Sequence, residues 1–186
     1  MYIFGYGSLI NASSRQLTGQ TGDAIPVVAK GLVRYWGKID DSYIMSPLIV
    51  NQGEGEVSGV LLQVDDNELP NFDRREAGYQ RIQINANQIE TECSFDTAQP
   101  IWVYVTDNYQ QPCSNSPIVQ SYVDTVIAGC LDISEQFARH FIEHTVGWHC
   151  PYENDRQAPK YQRVAGVKPH HQVSIDKLLT PVFALS

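Results

Sequence analysis

The stretch Phe4-Gly5-Tyr6-Gly7-Ser8-Leu9 follows a short apolar run that begins at Met1 and predicts an N-terminal strand. Its two glycines and its serine predict a tight turn after that strand, because glycine adopts backbone conformations that other residues avoid. Successive N–H groups in such a turn can converge on an anion, and the Ser8 hydroxyl adds a donor or acceptor. The stretch therefore fits an ordinary turn or a cradle for a carboxylate, phosphate or polarised carbonyl, but neither a dinucleotide fingerprint nor a P-loop.

The composition is typical of a globular protein. Of the 186 residues, 42% are hydrophobic and 18% are charged, which favours a single domain with a sizeable core. The net charge of -8 argues against broad binding of nucleic acid or anionic membranes, which need a basic surface. No secretory signal or membrane-spanning run is visible, so we expect a cytoplasmic protein whose four cysteines are free thiols.

The chain after the glycine turn is expected to continue with a short helix and a long strand. The helix is predicted over Asn11–Thr18, with Gly19 as its stop. The apolar residues of Ile25–Lys38 predict one long strand, or two strands broken near Gly31. Arg34 lies within this run, and we expect it on an exposed polar face of the strand.

Further strands are expected up to about residue 105. Strong turn chemistry at Asn51–Gly55 predicts a hairpin between strands at Tyr43–Val50 and Val57–Val64. Asp65–Glu76 predicts a short helix that ends before Gly78. The remaining predicted strands are Tyr79–Asn85, Ile89–Phe95 and Ile101–Val105.

The last third of the chain is predicted to be helical. Ser116 and Pro117 have the residue types of an N-cap and a first helical position, and Ser134 is the expected N-cap of a second helix. Strands followed by helices predict one α+β domain over residues 1–186, with a curved sheet or barrel on which the helices pack. Residues 148–186 are interpreted as a C-terminal extension of that domain.

The segment Asp73-Arg74-Arg75-Glu76-Ala77-Gly78-Tyr79 carries the strongest chemical signal. Four charges in a row usually mark a solvated helix end, but Glu76 stands where a helix gives way to a strand and can face the mouth of a barrel. Burial would raise the pKa of such a carboxyl toward the range useful for proton transfer, whereas a nearby arginine would oppose the rise. Glu76 is therefore a candidate general base.

His140, Glu143 and His144 form an HxxEH pattern, which also occurs in inverted zinc proteases. Two histidines four residues apart share a helix face and can bind zinc together. A third protein ligand has to come from elsewhere, and the helix needs its face with Phe137 and Phe141 for packing. We therefore favour solvated or core-edge histidines, and expect neither a metal nor another cofactor.

Taken together, Phe4–Leu9 and Arg75–Tyr79 resemble the γ-glutamylcyclotransferase-like superfamily, most closely its bacterial and ChaC-like branches. The shared pattern is an N-terminal strand that ends in Tyr-Gly-Ser-Leu, with a glutamate ahead of Gly-Tyr some 70 residues later. Gly31–Trp36 is similar to the Gly-x-x-Arg-x-aromatic strand of the family. Tyr122 is similar to the tyrosine that a helix of the family presents to the pocket. The resemblance covers roughly residues 1–131.

The resemblance implies a small mixed β-barrel with flanking helices and an intramolecular reaction without a cofactor. The α-amine of a γ-glutamyl group attacks its own γ-carbonyl, which gives 5-oxoproline and releases an amine or peptide. An ammonium group is not a nucleophile, so a base must take its proton, and Glu76 is the expected catalytic residue. The expected substrate-binding residues are Tyr6, Gly7, Ser8, Leu9 and Tyr122.

Three alternatives stay open at this stage. The first is a related enzyme that acts on another γ-glutamyl-like substrate, and the second is a binding protein that keeps the pocket without catalysis. The third is a zinc hydrolase that uses His140 and His144. In the favoured interpretation the partner is a small γ-glutamyl molecule, without nucleic acid or membrane, and the leaving group and oligomeric state stay open.

Overall fold

The computed structural model of the chain describes residues 1–17 and 23–184, so the predicted helix stop at Gly19 lies outside the described residues. Its strands are β1 (Tyr2–Gly5), β2 (Ala24–Trp36), β3 (Leu48–Gln63), β4 (Gln80–Ile84), β5 (Ile89–Glu90), β6 (Ile101–Val105), β7 (Ile118–Val119), β8 (Thr145–Val146) and β9 (Tyr152–Glu153). Its α-helices are α1 (Ala12–Gln16), α2 (Leu69–Arg75), α3 (Gln120–Ile133), α4 (Glu135–Glu143) and α5 (Pro169–Ala184).

The main sheet is mixed and curls into half a barrel, with the strand order β4-β6-β1-β3-β2-β5. The N-terminal strand β1 lies near its centre, antiparallel to β3 and parallel to β6. The short strand β8 pairs in parallel with β2, and a separate pair joins β7 to β9. This arrangement, with helices packed beside the sheet, confirms the predicted α+β fold.

Helix α3 forms the centre of the helical layer. Every residue from Gln120 to Cys130 is buried, so this helix has no solvent-facing side over most of its length. The Asn11 side chain caps α1 by accepting a hydrogen bond from the Ser14 amide, and it donates to the Thr125 carbonyl at 2.8 Å. The turn after β1 is therefore fixed directly to the buried helix.

The predicted hairpin at Asn51–Gly55 is wrong, because β3 continues through this stretch as one strand. It pairs with β2 from Ala24 opposite Leu62 to Trp36 opposite Leu48, with a register shift between Lys30 and Leu32. A Cβ added to Gly55 would lie 2.8 Å from the Leu32 carbonyl oxygen. The glycine therefore permits close approach of two strands beside this irregularity, and the chain reverses instead within residues 37–47.

The C-terminal segment changes the predicted start of the first long helix. Residues after Ser116 and Pro117 form β7, which pairs with β9, and α3 begins only at Gln120. The Ile118 amide donates to the Pro151 carbonyl at 2.9 Å. This long-range pairing outweighs the local capping signal. The strand predicted at Ile89–Phe95 is likewise shorter and ends at Glu90.

Buried polar contacts hold the C-terminal segment against α3. The Asp155 carboxylate accepts hydrogen bonds from the Ser121 amide at 2.7 Å and from the Ser121 hydroxyl at 2.6 Å. Arg156 forms ion pairs with Asp124 of α3 and Asp176 of α5, each at 2.7 Å.

Within residues 1–17 and 23–184, no helix combines the length and hydrophobicity needed to cross a membrane.

Candidate active site

The glycine-rich turn lines a cavity of about 110 Å³ beside the end of β1. Tyr6, Gly7, Ser8 and Leu9 all face this cavity, Glu76 reaches it from the end of α2, and Tyr122 reaches it from α3. The fold therefore brings together the residues that the sequence indicated from three distant segments. The other lining residues are Ile3, Phe4, Gly5, Pro47, Leu48, Phe72, Tyr79 and Tyr104.

The turn itself is a single 3₁₀ turn over Ser8–Ile10. The Ile10 amide donates to the Gly7 carbonyl at 2.9 Å, and the Asn11 amide donates to the Ser8 carbonyl at 3.2 Å. Among the hydrogen bonds between described residues, none uses the amides of Gly7 or Leu9 as donors. These two N–H groups are therefore free to bind an anionic or polarised ligand atom.

Tyr122 stands opposite Gly7. Its ring is buried in edge contacts with Trp36 at 5.9 Å and with Tyr161 of the C-terminal segment at 4.8 Å between centroids. Burial raises the pKa of its hydroxyl, which therefore stays protonated at neutral pH. Backbone groups of Leu48 and Ser8 face the hydroxyl oxygen. The C-terminal segment thus supports one wall of the cavity through Tyr161.

Glu76 is placed by the end of α2. Its amide donates to the Phe72 carbonyl at 2.8 Å, and its own carbonyl accepts from the Tyr79 amide at 3.0 Å. Gly78 then adopts a φ of 98°, the left-handed conformation that favours glycine, and this turns the chain into β4. The Glu76 side chain remains 23% exposed, so it is shielded from bulk water yet can be reached from the cavity.

The electrostatic surroundings of Glu76 work in two directions. Burial raises the pKa of its carboxyl, while the positive charges of Arg75 and Arg163 oppose the rise. Arg75 Nε lies 3.0 Å from Glu76 Oε1. A carboxylate with a raised pKa holds a proton more readily than an exposed one, which suits a group that accepts a proton and later returns it.

Arg34 lies in the interior, so its predicted exposed position is wrong. It is fully buried, and its guanidinium donates to the carbonyls of Tyr6 at 3.3 Å, Ser58 at 2.7 Å and Phe141 at 3.0 Å. It also donates to the Thr145 hydroxyl at 2.8 Å. Burial lowers its pKa to about 9, which leaves it charged at neutral pH. Arg34 therefore ties the glycine turn to β3 and α4.

Tyr79 is a lining residue to which the sequence analysis gave no role. Tyr79 faces the cavity. Burial raises the pKa of its hydroxyl, and the neighbouring Tyr43 and Glu76 add to this rise. The sequence signal for this residue was its position directly after Gly78, within the charged segment that also contains Glu76. His140 and His144 do not line this cavity and instead face Glu56 of β3.

A family model gives an independent indication of ancestry. The model of the family described as gamma-glutamyl cyclotransferase, AIG2-like, matches residues 3–122, which include every lining residue of the cavity. No curated protein sequence matches the chain at a significant level.

Solved structures share the fold at low sequence identity. A gamma-glutamyl cyclotransferase is similar with a TM-score of 0.62 and 15% identity, over 95% of this chain and 98% of that one. An uncharacterized protein from Homo sapiens has a TM-score of 0.62 and 15% identity, over 94% of this chain and 97% of its own. YkqA from Bacillus subtilis has a TM-score of 0.55 and 18% identity, over 78% of this chain and 55% of its own. At such identities the similarity shows the fold alone.

Proposed function

Since the chain belongs to the gamma-glutamyl cyclotransferase, AIG2-like family, we propose that it converts a γ-glutamyl amine or peptide into 5-oxoproline and a free amine or peptide. One observation carries this proposal. A partly shielded carboxylate, Glu76, shares a small cavity with the unused amides of Gly7 and Leu9 and with the Tyr122 hydroxyl. The matching family model is the AIG2-like one, so the finer assignment to bacterial and ChaC-like branches is not confirmed.

The proposed reaction needs one proton acceptor and one site for developing negative charge. Glu76 takes a proton from the α-ammonium group of the substrate, and the free amine attacks the γ-carbonyl carbon of the same molecule. A new C–N bond closes the five-membered ring while negative charge develops on the carbonyl oxygen. The amides of Gly7 and Leu9 are the donors that we assign to this oxygen or to the carboxylate of the glutamyl head.

Collapse of this intermediate breaks the original C–N bond, and Glu76 returns its proton to the leaving amine. The ring nitrogen loses its second proton to solvent, which leaves the neutral lactam of 5-oxoproline. Both reacting groups belong to one substrate molecule, so orientation within the cavity supplies much of the rate enhancement. The Tyr122 hydroxyl contributes a polar contact to the same head group. The Tyr6 hydroxyl already donates to the Tyr104 carbonyl at 2.8 Å. Tyr6 therefore shapes the cavity with its ring.

Incubation with a panel of substrates tests the proposal. The panel contains γ-glutamyl amino acids, glutathione and γ-glutamyl amines, and 5-oxoproline is measured by mass spectrometry. We expect 5-oxoproline from at least one class, and that class identifies the leaving group. Binding of a γ-glutamyl compound without any product would favour a binding protein, and a different product would favour a related enzyme on another substrate.

A Gly7→Ala substitution is expected to lower kcat/KM by roughly 10- to 100-fold, because a misplacement of about 1 Å in a catalytic cavity has effects of that size. The added Cβ would lie 2.8 Å from the Tyr122 oxygen, so the turn or the tyrosine has to move. The measurement is steady-state kinetics on the best substrate of the panel.

Tyr122→Phe provides the control for this prediction, since it removes the atom that the new methyl group meets. In the Gly7→Ala, Tyr122→Phe double variant we expect part of the loss caused by Gly7→Ala to be recovered relative to Tyr122→Phe alone. Strict additivity of the two effects would contradict the contact as the cause.

A further inference from the structure

Three side chains with metal-binding atoms converge outside the cavity. His140 lies in the last turn of α4, His144 is the C-cap residue directly after the helix, and both face Glu56 of β3. Glu56 Oε1 lies 2.8 Å from His140 Nε2 and 3.6 Å from His144 Nε2. The two imidazole rings stack at 4.1 Å between centroids and 11° between planes, and the three ligand atoms lie within 4.8 Å of one another. The cluster therefore presents two nitrogens and one oxygen toward a common point.

These separations are close to those of a metal site. Nitrogen and oxygen ligands about 2.0–2.1 Å from a tetrahedral Zn²⁺ ion lie about 3.3 Å from one another. The two distances from Glu56 to the histidines fall on either side of this value, so small side-chain movements suffice to bring all three atoms onto one ion. Imidazole and carboxylate ligands suit zinc and its neighbours among the divalent transition metals.

We propose that Glu56, His140 and His144 form a binding site for a divalent transition-metal cation of the Zn²⁺ class, with solvent completing the coordination. Their side chains remain 34%, 24% and 38% exposed, respectively, so an ion can enter from solution. Glu143, the carboxylate of the HxxEH pattern, is exposed and takes no part. The third ligand comes instead from β3, 84 residues before His140.

The surroundings of His140 set the expected strength of this site. Its Nδ1 atom is buried and has no hydrogen-bond partner among the described residues. Metal-bound histidines usually donate from their second nitrogen to an oxygen atom, and loss of such a partner lowers affinity by about 10- to 100-fold. With three protein ligands and this missing partner, we expect affinity in the micromolar rather than the nanomolar range.

The location of the site points to a structural role. None of its three residues lines the cavity. Phe141 and Thr145 directly follow His140 and His144 along the chain. The Phe141 carbonyl and the Thr145 hydroxyl accept hydrogen bonds from Arg34. An ion held by these ligands cross-links α4 to β3 next to the contacts that tie the glycine turn in place. Metal binding is therefore expected to raise the melting temperature and to be independent of catalysis by Glu76.

The test uses the full-length protein freed of metal with a chelator. Zn²⁺ alone is titrated by calorimetry, and Co²⁺ is titrated by visible absorption, where a four-coordinate ion gives an intense d–d band. We expect one equivalent to bind with micromolar affinity and to raise the melting temperature. E56Q and His144→Gln should each weaken binding at least about 10-fold, and E76Q should bind as the wild type does.

His149→Ala is the matched control, because His149 is an exposed histidine outside the cluster. Cys93→Ser controls for binding at an exposed thiol. Both controls should keep wild-type affinity. The proposal is overturned if wild-type protein shows no saturable binding below millimolar metal, or if E56Q and His144→Gln bind as tightly as the wild type while circular dichroism shows them folded.

Discussion

Replacement of Glu76 by glutamine is expected to lower kcat for 5-oxoproline formation at least ~100-fold, because glutamine keeps the shape of the side chain but cannot accept a proton. Glu76 is the carboxylate within the cavity, and its position at the end of α2 depends on backbone contacts that the substitution leaves unchanged. The measurement is product formation by mass spectrometry at saturating substrate, and circular dichroism reports the fold of the variant.

Glu135→Gln is the matched control for this result. Glu135 lies on α4 with 66% of its side chain exposed and pairs with Arg139 at the surface, so its loss should leave turnover unchanged. Turnover of E76Q within a factor of about three of the wild type would exclude Glu76 as the base, since removal of a general base normally costs far more.

The pH dependence of the wild-type enzyme gives a second measure of the same group. Burial raises the folded-state pKa of Glu76. As the pH is lowered, kcat/KM should therefore begin to fall at a higher pH than it would with an ordinary glutamate as the base. Arg163 opposes this rise, and Arg163→Gln should therefore move the acid limb of the profile further toward high pH, with a smaller shift at high salt. A limb that moves to lower pH would contradict the assignment.

Local signals in the sequence were sufficient for several elements. The strand predicted at Ile101–Val105, a continuous apolar run, is β6 with the predicted bounds. Ser134, the predicted N-cap, caps α4 by accepting a hydrogen bond from the Phe137 amide at 3.0 Å. Gly78 ends the segment after α2 as predicted. Each of these depends on side-chain periodicity or capping within a few residues, which is information that a short window of sequence contains.

The remaining features depend on contacts between distant segments. The residues around Gly55 predicted a turn, but they lie within β3 beside the register shift of β2. Strand β7 forms because it pairs with β9. Glu56 joined His140 and His144 through the packing of α4 on β3, so the HxxEH pattern alone could not identify the third ligand. The motifs around Tyr6 and Glu76 indicated candidate residues, and the curl of the sheet brought them into one cavity.

Arg34 illustrates the same limit and gives the largest expected effect on stability. An arginine in an apolar strand is exposed in most proteins, but here α4 and β8 pack against that face of β2. The Phe141 carbonyl of α4 and the Thr145 hydroxyl of β8 accept hydrogen bonds from the guanidinium. The guanidinium also lies 3.7 Å over the Phe141 ring. Carbonyl groups from β3 and from the glycine turn complete its surroundings.

An Arg34→Met substitution is expected to lower the free energy of unfolding by at least ~3 kcal/mol, since hydrogen bonds from a charged donor contribute about 1.5–3 kcal/mol each and buried acceptors left unpaired cost about 1–3 kcal/mol each. Methionine fills much of the volume and removes the cost of burying a charge. It leaves the carbonyls of Tyr6 and Ser58 without the guanidinium donor, whereas the Phe141 carbonyl keeps a hydrogen bond from Thr145 at 2.6 Å. The lost hydrogen bonds therefore outweigh the relief of desolvation.

Urea denaturation followed by circular dichroism measures this change, with Arg139→Met as the matched control. Arg139 lies on α4 with 57% of its side chain exposed and pairs with Glu135 one turn away, so its replacement should change stability by no more than ~0.5 kcal/mol. Because Arg34 also holds the Tyr6 carbonyl, the folded fraction of Arg34→Met should show a raised KM for the substrate as well. A loss of less than ~1 kcal/mol would mean that the surrounding acceptors find other donors, and the assignment of Arg34 as the tie between the glycine turn and α4 would then fail.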